Sequence, residues 1–216
     1  MKLILTILDK KRQKVIKELS KYFSKDFYLG GGTALSLQIA HRESYDFDLF
    51  SEKPISFNVK QRLKSGFNKH NVVLLVDTKD ELSVIIDEDI KVTFMNFYWK
   101  PIFPLIKSDR FLPLLSIQDI AANKAFAIGR RANYRDYYDL YILIKNKHLS
   151  ISELIEISIK KFGDFFSERM FIEQLIYLED ITPDENLRFL REEFVSKKEI
   201  QRFFKRELKN WLKKKV

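Results

Sequence analysis

Residues 29–50, LGGGTALSLQIAHRESYDFDLF, decide how this chain is read. The apolar run Phe27-Tyr28-Leu29 ends in three glycines, the pattern of a short strand entering a tight turn. Thr33 is placed to cap a helix over 34–40. Glycines between a strand and a helix start let backbone N–H groups approach a ligand closely. The helix N-terminus adds partial positive charge, so Gly31, Gly32 and Thr33 form a turn suited to phosphate. After twelve intervening residues beyond Thr33, Asp46 to Phe50 alternates acid and apolar side chains, the period of a strand. Asp46 and Asp48 then project from one face, about 7 Å apart, while Phe47 and Leu49 take the other. Two such carboxylates can hold Mg2+ together with a triphosphate, as phosphoryl chemistry requires. A glycine turn alone or an Asp-x-Asp alone is weak evidence, because ordinary half-solvated strands also alternate. The two in this order are far more specific.

Working outward, Val15, Ile16, Leu19, Tyr22 and Phe23 mark an amphipathic helix over 9–23. A helix over about 58–69 and strands at 72–77, 82–86 and 90–97 follow. Prolines 101, 104 and 113 mark an irregular connector. Beyond Ser116 apolar residues recur every three or four positions over 117–130, 134–147, 151–161, 167–179 and 186–212. The expected fold is α+β: a mixed sheet with flanking helices over 1–105, then an all-helical domain over 106–216, with the active cleft between them.

The 216 residues carry a formal charge of +9, unevenly placed. Residues 197–216 hold nine Lys or Arg against Glu199 and Glu207, so the remainder is close to neutral. The apolar positions Phe203, Phe204, Leu208, Trp211 and Leu212 make this segment an amphipathic helix with a cationic face. That face suits an RNA backbone, an anionic lipid surface, an acidic partner, or solvent alone. With no cysteine and three histidines, neither a thiolate site nor a histidine-rich zinc site is available. The apolar run Leu3 to Leu8 is too short to span a bilayer, and no small-residue cleavage site follows it. A soluble, cytoplasmic protein with no membrane span is expected.

Gly31-Gly32-Thr33-Ala34-Leu35-Ser36-Leu37, followed by His41-Arg42-Glu43-Ser44-Tyr45-Asp46-Phe47-Asp48-Leu49-Phe50, resembles the nucleotidyltransferase AbiEii/AbiGii toxin family. A second block, Asp119-Ile120-Ala121-Ala122-Asn123-Lys124-Ala125, with Arg130-Arg131 and then Arg135-Asp136-Tyr137-Tyr138-Asp139-Leu140-Tyr141, is similar to that family's downstream signature. The resemblance covers roughly residues 20–145. It implies a nucleotidyltransferase-like fold with a helical appendage and NTP use with Mg2+. It also implies, often, a role as the toxin paired with a cognate antitoxin or in phage defence. Some members modify tRNA ends, so tRNA or another RNA is an expected acceptor, gripped by the basic C-terminal helix. The family places Asp139 near the site, orienting Lys124 or the acceptor.

On a helix from 117, Ile117, Ile120, Ala121, Lys124, Ala125 and Ile128 share one face. A lysine on such a stripe meets an anion or snorkels. That anion is a triphosphate, or a carboxylate at Asp136 or Asp139; the two are not exclusive. Arg135 and Asp139 could form an ordinary surface pair at i,i+4. Arg42 is a further candidate phosphate ligand, whereas His41 reads as structural. The expected site is therefore Asp46, Asp48, Lys124 and Asp139 for catalysis, with Gly31, Gly32, Thr33, Arg42 and Lys124 on the nucleotide and Asp46 and Asp48 on the metal.

Two departures stand out. Polymerase-like nucleotidyltransferases often place a third carboxylate on a later strand, where this chain has Thr93. A base would then come from Asp87, Asp89 or Asp136, or from metal-bound hydroxide. The family's glycine before His41 is Ala40 here. Transfer of NMP from an NTP to an RNA end or a protein hydroxyl is the leading reading. A catalytically weak nucleotide-binding module and an NTP-dependent phosphotransferase are the alternatives.

Overall fold

A computed structural model describes residues 3–108, 111–128, 130–131, 133–184, 187–190 and 194–215. The chain divides into two compact units, Met1–Ser116 and Ile117–Val216.

In the first unit, Asp9 caps helix α1 (Lys10–Phe23) by accepting from the Arg12 amide at 2.8 Å. Val15, Ile16, Leu19 and Phe23 form its buried stripe, as the period of 3.6 demands. Strand β1 (Tyr28–Gly30) runs straight into helix α2 (Gly31–Ile39). Strand β2 (Phe47–Ser51), helix α3 (Phe57–Gly66) and strands β3 (Val72–Asp77), β4 (Glu81–Ile86) and β5 (Ile90–Asn96) follow. The short strands β6 (Ile106–Ser108) and β7 (Phe111–Leu114) complete a seven-stranded sheet of order β3-β4-β5-β2-β1-β7-β6. The β2–β5 and β1–β7 pairs are parallel and the others antiparallel. One face carries Leu29, Phe47, Leu49, Val92 and Phe94, all fully buried. The Phe23 and Phe27 rings close on Phe94 at centroid distances of 4.7 and 5.2 Å.

Two expectations change here. The proline connector supplies β6 and β7, so the first unit runs through Ser116 and the junction expected at 105/106 falls ahead of its last strands. Pro113 fits because β7 pairs with β6 across an irregular register, where a missing N–H is tolerated. Thr33 is not the cap of α2. The helix starts at Gly31 and Gly30 occupies the capping position, because Gly31 adopts φ +65°, which lets the turn begin three residues early.

The second unit is helical: α4 (Ile117–Ile128), α5 (Tyr134–Lys145), α6 (Ile151–Phe162), α7 (Glu168–Ile176) and α8 (Lys197–Lys215). Ser150 and Glu153 form a reciprocal capping box at the start of α6. The helix expected from 186 begins at Lys197 among the described residues. No described helix is long and apolar enough to cross a membrane.

Candidate active site

The register of β1 and β2 pairs Gly30 with Asp48, so the glycine turn opens beside the acid pair. Gly31 is the residue that makes this fit. Its positive φ excludes most side chains, and a Cβ there would overlap Asp48 Oδ2. The Asp48 carboxylate therefore rests against bare backbone at the head of α2. At Gly32 a Cβ would meet the guanidinium of Arg42 and lie 3.0 Å from Ser44 Oγ. Arg42, 2% exposed, is thus buried over the turn, with Nη1 donating to Glu43 O at 3.0 Å.

Thr33 turns inward. Its hydroxyl donates to the carbonyl of Asp46 and lies 2.9 Å from Ser44 Oγ, so it fastens the first turn of α2 to the segment carrying the acids. Sequence reading expected that hydroxyl on a phosphate; at 1% exposure its partners are protein. A second fastener comes from α1. Arg12 bonds Asp9, reaches Asp89 Oδ2 at 2.8 Å and covers the Tyr45 ring at 4.6 Å. This braces the residue just before Asp46, a link no spacing in the sequence advertises. Asp46 and Asp48 are half-buried, flanking fully buried Phe47. The Asp46 carboxylate has no hydrogen bond or ion pair among the described residues. Gly31, Gly32, Thr33, Arg42, the Asp48 carboxylate and the Asp46 backbone carbonyl are therefore gathered in one place.

The acids considered as bases are committed elsewhere. Asp87 accepts from His70 Nδ1 at 2.6 Å, and this bond, outweighing burial, holds its carboxyl below the usual range. Asp89 is lowered chiefly by Lys11, 2.5 Å away, with Arg12 adding to it. Both fix the β4–β5 turn.

In the second unit, Lys124 and Asp139 come together around a buried charge. Lys124 Nζ lies 2.8 Å from Asp136 Oδ1 and 2.6 Å from Asp139 Oδ2. Arg131 Nε adds a bond to Asp136 Oδ2 at 2.9 Å. Burial pushes the Asp136 carboxyl up, but the Lys124 and Arg131 cations outweigh it and hold it below the normal value. The surface pair considered for Arg135 and Asp139 does not form: Asp139 is fully buried and Arg135 bonds Asp184 at 2.5 Å. Sequence reading missed a further sealed pair, Lys161 Nζ on Asp119 Oδ1 at 2.6 Å. Burial lowers the Lys161 ammonium more than Asp119 raises it. Lys161 sits in the last turn of an amphipathic helix, where a lysine ordinarily reads as solvated, so no signal distinguished it.

Helix α8 buries Ile200, Phe204, Leu208 and Trp211 on one side. Lys198, Arg202, Lys205, Arg206, Lys209 and Lys213 recur at helical offsets of 4, 7, 8, 11 and 15 on the other. Over about 22 Å of axis they form one stripe, with Arg206 near Glu207 at 3.2 Å and no ion pair on the other five among the described residues.

A family model described as nucleotidyl transferase AbiEii toxin, Type IV TA system, matches residues 81–214. The chain belongs to this family. An AbiEii-family chain is an enzyme of the nucleotidyltransferase class. The protein aq_aa25 of Aquifex aeolicus (strain VF5) is 32% identical over 212 residues, spanning 93% of this chain and 95% of its own length. Among solved structures, MenT4, nucleotidyltransferase toxin Rv2826c of Mycobacterium tuberculosis H37Rv, matches with a TM-score of 0.61 at 16% identity, over 91% of this chain and 80% of its own. JHP933 of Helicobacter pylori matches with a TM-score of 0.59 at 19% identity, over 99% and 96%. At those identities the likeness is one of fold, and it agrees with the α+β sheet described above. The family match starts at Glu81, so the glycine turn and the acid pair stand on their own geometry.

Proposed function

We propose that this AbiEii-family protein binds an NTP and divalent metal in its first unit and transfers NMP to a hydroxyl of an RNA end. The observation that carries this is the contact between the Asp48 carboxylate and the bare backbone of Gly31. It sets a cation ligand against the N-terminal amides of a helix, where a phosphate binds. Among the described residues no group of three or more His, Cys, Asp or Glu forms a metal cluster. Two carboxylates still fit Mg2+, which commonly takes one or two from the protein and completes its shell with phosphates and water. Asp46 and Asp48 would hold the ion, which when bound neutralises charge on the phosphates. The chain's own groups do the rest. The amides at 31–33 orient the triphosphate, Thr33 and Arg12 hold the acid segment in place, and Arg42 offers a buried cation beside the turn.

RNA is favoured as acceptor by the α8 stripe, whose cations, five of the six without an ion pair among the described residues, suit a sequence-blind, salt-sensitive grip on phosphates. Lys124 and Asp139 are proposed for a narrower role. The Lys124 charge is already compensated by Asp136 and Asp139, so Lys124 fixes α4 to α5 and Asp139 orients it. A cognate antitoxin is the partner expected of a toxin of this family.

The test is incubation with α-labelled NTP, Mg2+ and total RNA or the protein itself. Label on RNA that vanishes in Asp46→Ala and Asp48→Ala supports the proposal; label on protein redirects the acceptor. Transfer only from γ-labelled NTP makes the protein a phosphotransferase. Thr93 favours a second reading, a nucleotide-binding module, and metal-dependent NTP binding without any transfer would select it.

A further inference from the structure

Next to Asp48 the sheet carries a hydroxyl where transfer chemistry wants a base. Asp48 pairs in register with Thr93 of β5, and Thr93 with Ser83 of β4. In-register neighbours face the same side of a sheet about 5 Å apart. The three side chains therefore make a row on the face opposite Phe47, Leu49 and Phe94. Ser83 Oγ lies 3.2 Å from Thr93 Oγ1 and 2.5 Å from Glu81 Oε1. A serine has one proton to give, and the nearer, charged acceptor takes it. The Thr93 hydroxyl then donates to Ser83, which leaves its own lone pairs able to accept from a third group. Ser83 and Thr93 are 1% and 5% exposed, whereas Glu81 is only partly buried and can exchange protons with water.

We propose that Glu81, acting through Ser83 and Thr93, takes up the proton released in the transfer reaction, in place of the carboxylate that Thr93 displaces. This rests on reading Asp46 and Asp48 as the transfer site. The acceptor oxygen forms a bond to the α-phosphorus as the bond from that phosphorus to the pyrophosphate oxygen breaks, the electron pair leaving with pyrophosphate. The acceptor's proton passes to Thr93 Oγ1, the proton of Thr93 to Ser83 Oγ, and that of Ser83 to the Glu81 carboxylate. Both hydroxyls end neutral, and Glu81 ends protonated until solvent deprotonates it. Glu81 touches no substrate and is a positioning residue. The charged groups nearest it along the chain are Lys79 and Asp80 of the β3–β4 turn, whereas Asp77 of β3, in register with Leu82, takes the other face and pairs with Lys60 of α3 at 2.5 Å. Lys91 on β5 and Asp48 on β2 are the charges on its side of the neighbouring strands.

The experiment measures single-turnover transfer of α-labelled NTP to total RNA or to the protein itself, across pH, with NTP affinity and melting temperature recorded in parallel. Glu81→Gln keeps an oxygen for Ser83 to donate to. It is expected to slow transfer about 10²-fold and flatten the acidic limb of the pH–rate profile, with affinity and melting unchanged. Thr93→Val should lose as much, and Thr93→Ser should restore it. Thr93→Asp puts a carboxylate beside Asp48 and should make Glu81→Gln silent in the double variant. The relay is overturned by a Glu81→Gln profile identical to wild type, or by an equal loss from Glu81→Gln with and without Asp at 93. Wild-type protein that binds NTP and metal but transfers nothing overturns the underlying reading, and the relay with it.

Discussion

The two units each gather carboxylates, and they treat them in opposite ways. Asp46, just before β2, and Asp48, on it, are half-buried, with a glycine turn at a helix start cut away to admit the Asp48 side chain. In the helical unit, Asp119, Asp136 and Asp139 are sealed, each within 3 Å of a lysine ammonium. Charge that is buried and compensated serves packing and specificity. Charge left reachable beside backbone donors is, in the function proposed above, there to meet a ligand. In the function proposed above, the same residue type serves structure in one place and chemistry in the other, and what separates the two is burial.

The sharpest way to break this contrast is to remove the acids from both sides. Asp46→Ala with Asp48→Ala should abolish measurable transfer, a loss beyond about 10²-fold, because even groups that merely support metal ligands are worth 10–100-fold. Calorimetry should show the melting temperature nearly unchanged. Asp119→Ala should do the reverse. It strands the Lys161 ammonium in the core and should cost about 3–5 kcal/mol in denaturant unfolding. The double substitution Asp119→Leu with Lys161→Met, which replaces both charges by apolar side chains, should recover most of that. A smaller effect is expected of Gly31→Ala. The left-handed backbone costs about 1–2 kcal/mol and the added methyl displaces the Asp48 carboxylate, so transfer should fall further than stability.

The gentlest probe is acid. The folded Asp136 carboxyl is held below its unfolded value of about 3.9, so its contribution is complete at neutral pH. That contribution disappears as pH drops from about 4 through the folded pKa. Asp136→Asn should therefore lie well below wild type in stability at neutral pH and converge with it in acid, as followed by circular dichroism. Parallel curves at all pH values would refute the assignment.

The glycine turn, the acid pair and strands 72–77, 82–86 and 90–97 were legible because each carries a local period or a backbone demand. The ends of α2 and α8 and the strands around Pro113 were not, since tertiary pairing sets them. The same holds for the site. Spacing alone pointed to Asp46 and Asp48, but the inward turn of the Thr33 hydroxyl and the Arg12 brace depend on contacts from Asp9, Tyr45 and Asp89. For Lys124 the helical face left a triphosphate or a carboxylate as its anion, and Asp136 with Asp139 supply the second.

Strand β1 is three residues long and lies between β2 and β7, the latter through the pairing of Leu29 with Leu114. Contacts so distant along the chain form slowly and late. A ribosome must therefore release the polypeptide through position 114 before the strand that presents the glycines gains both neighbours.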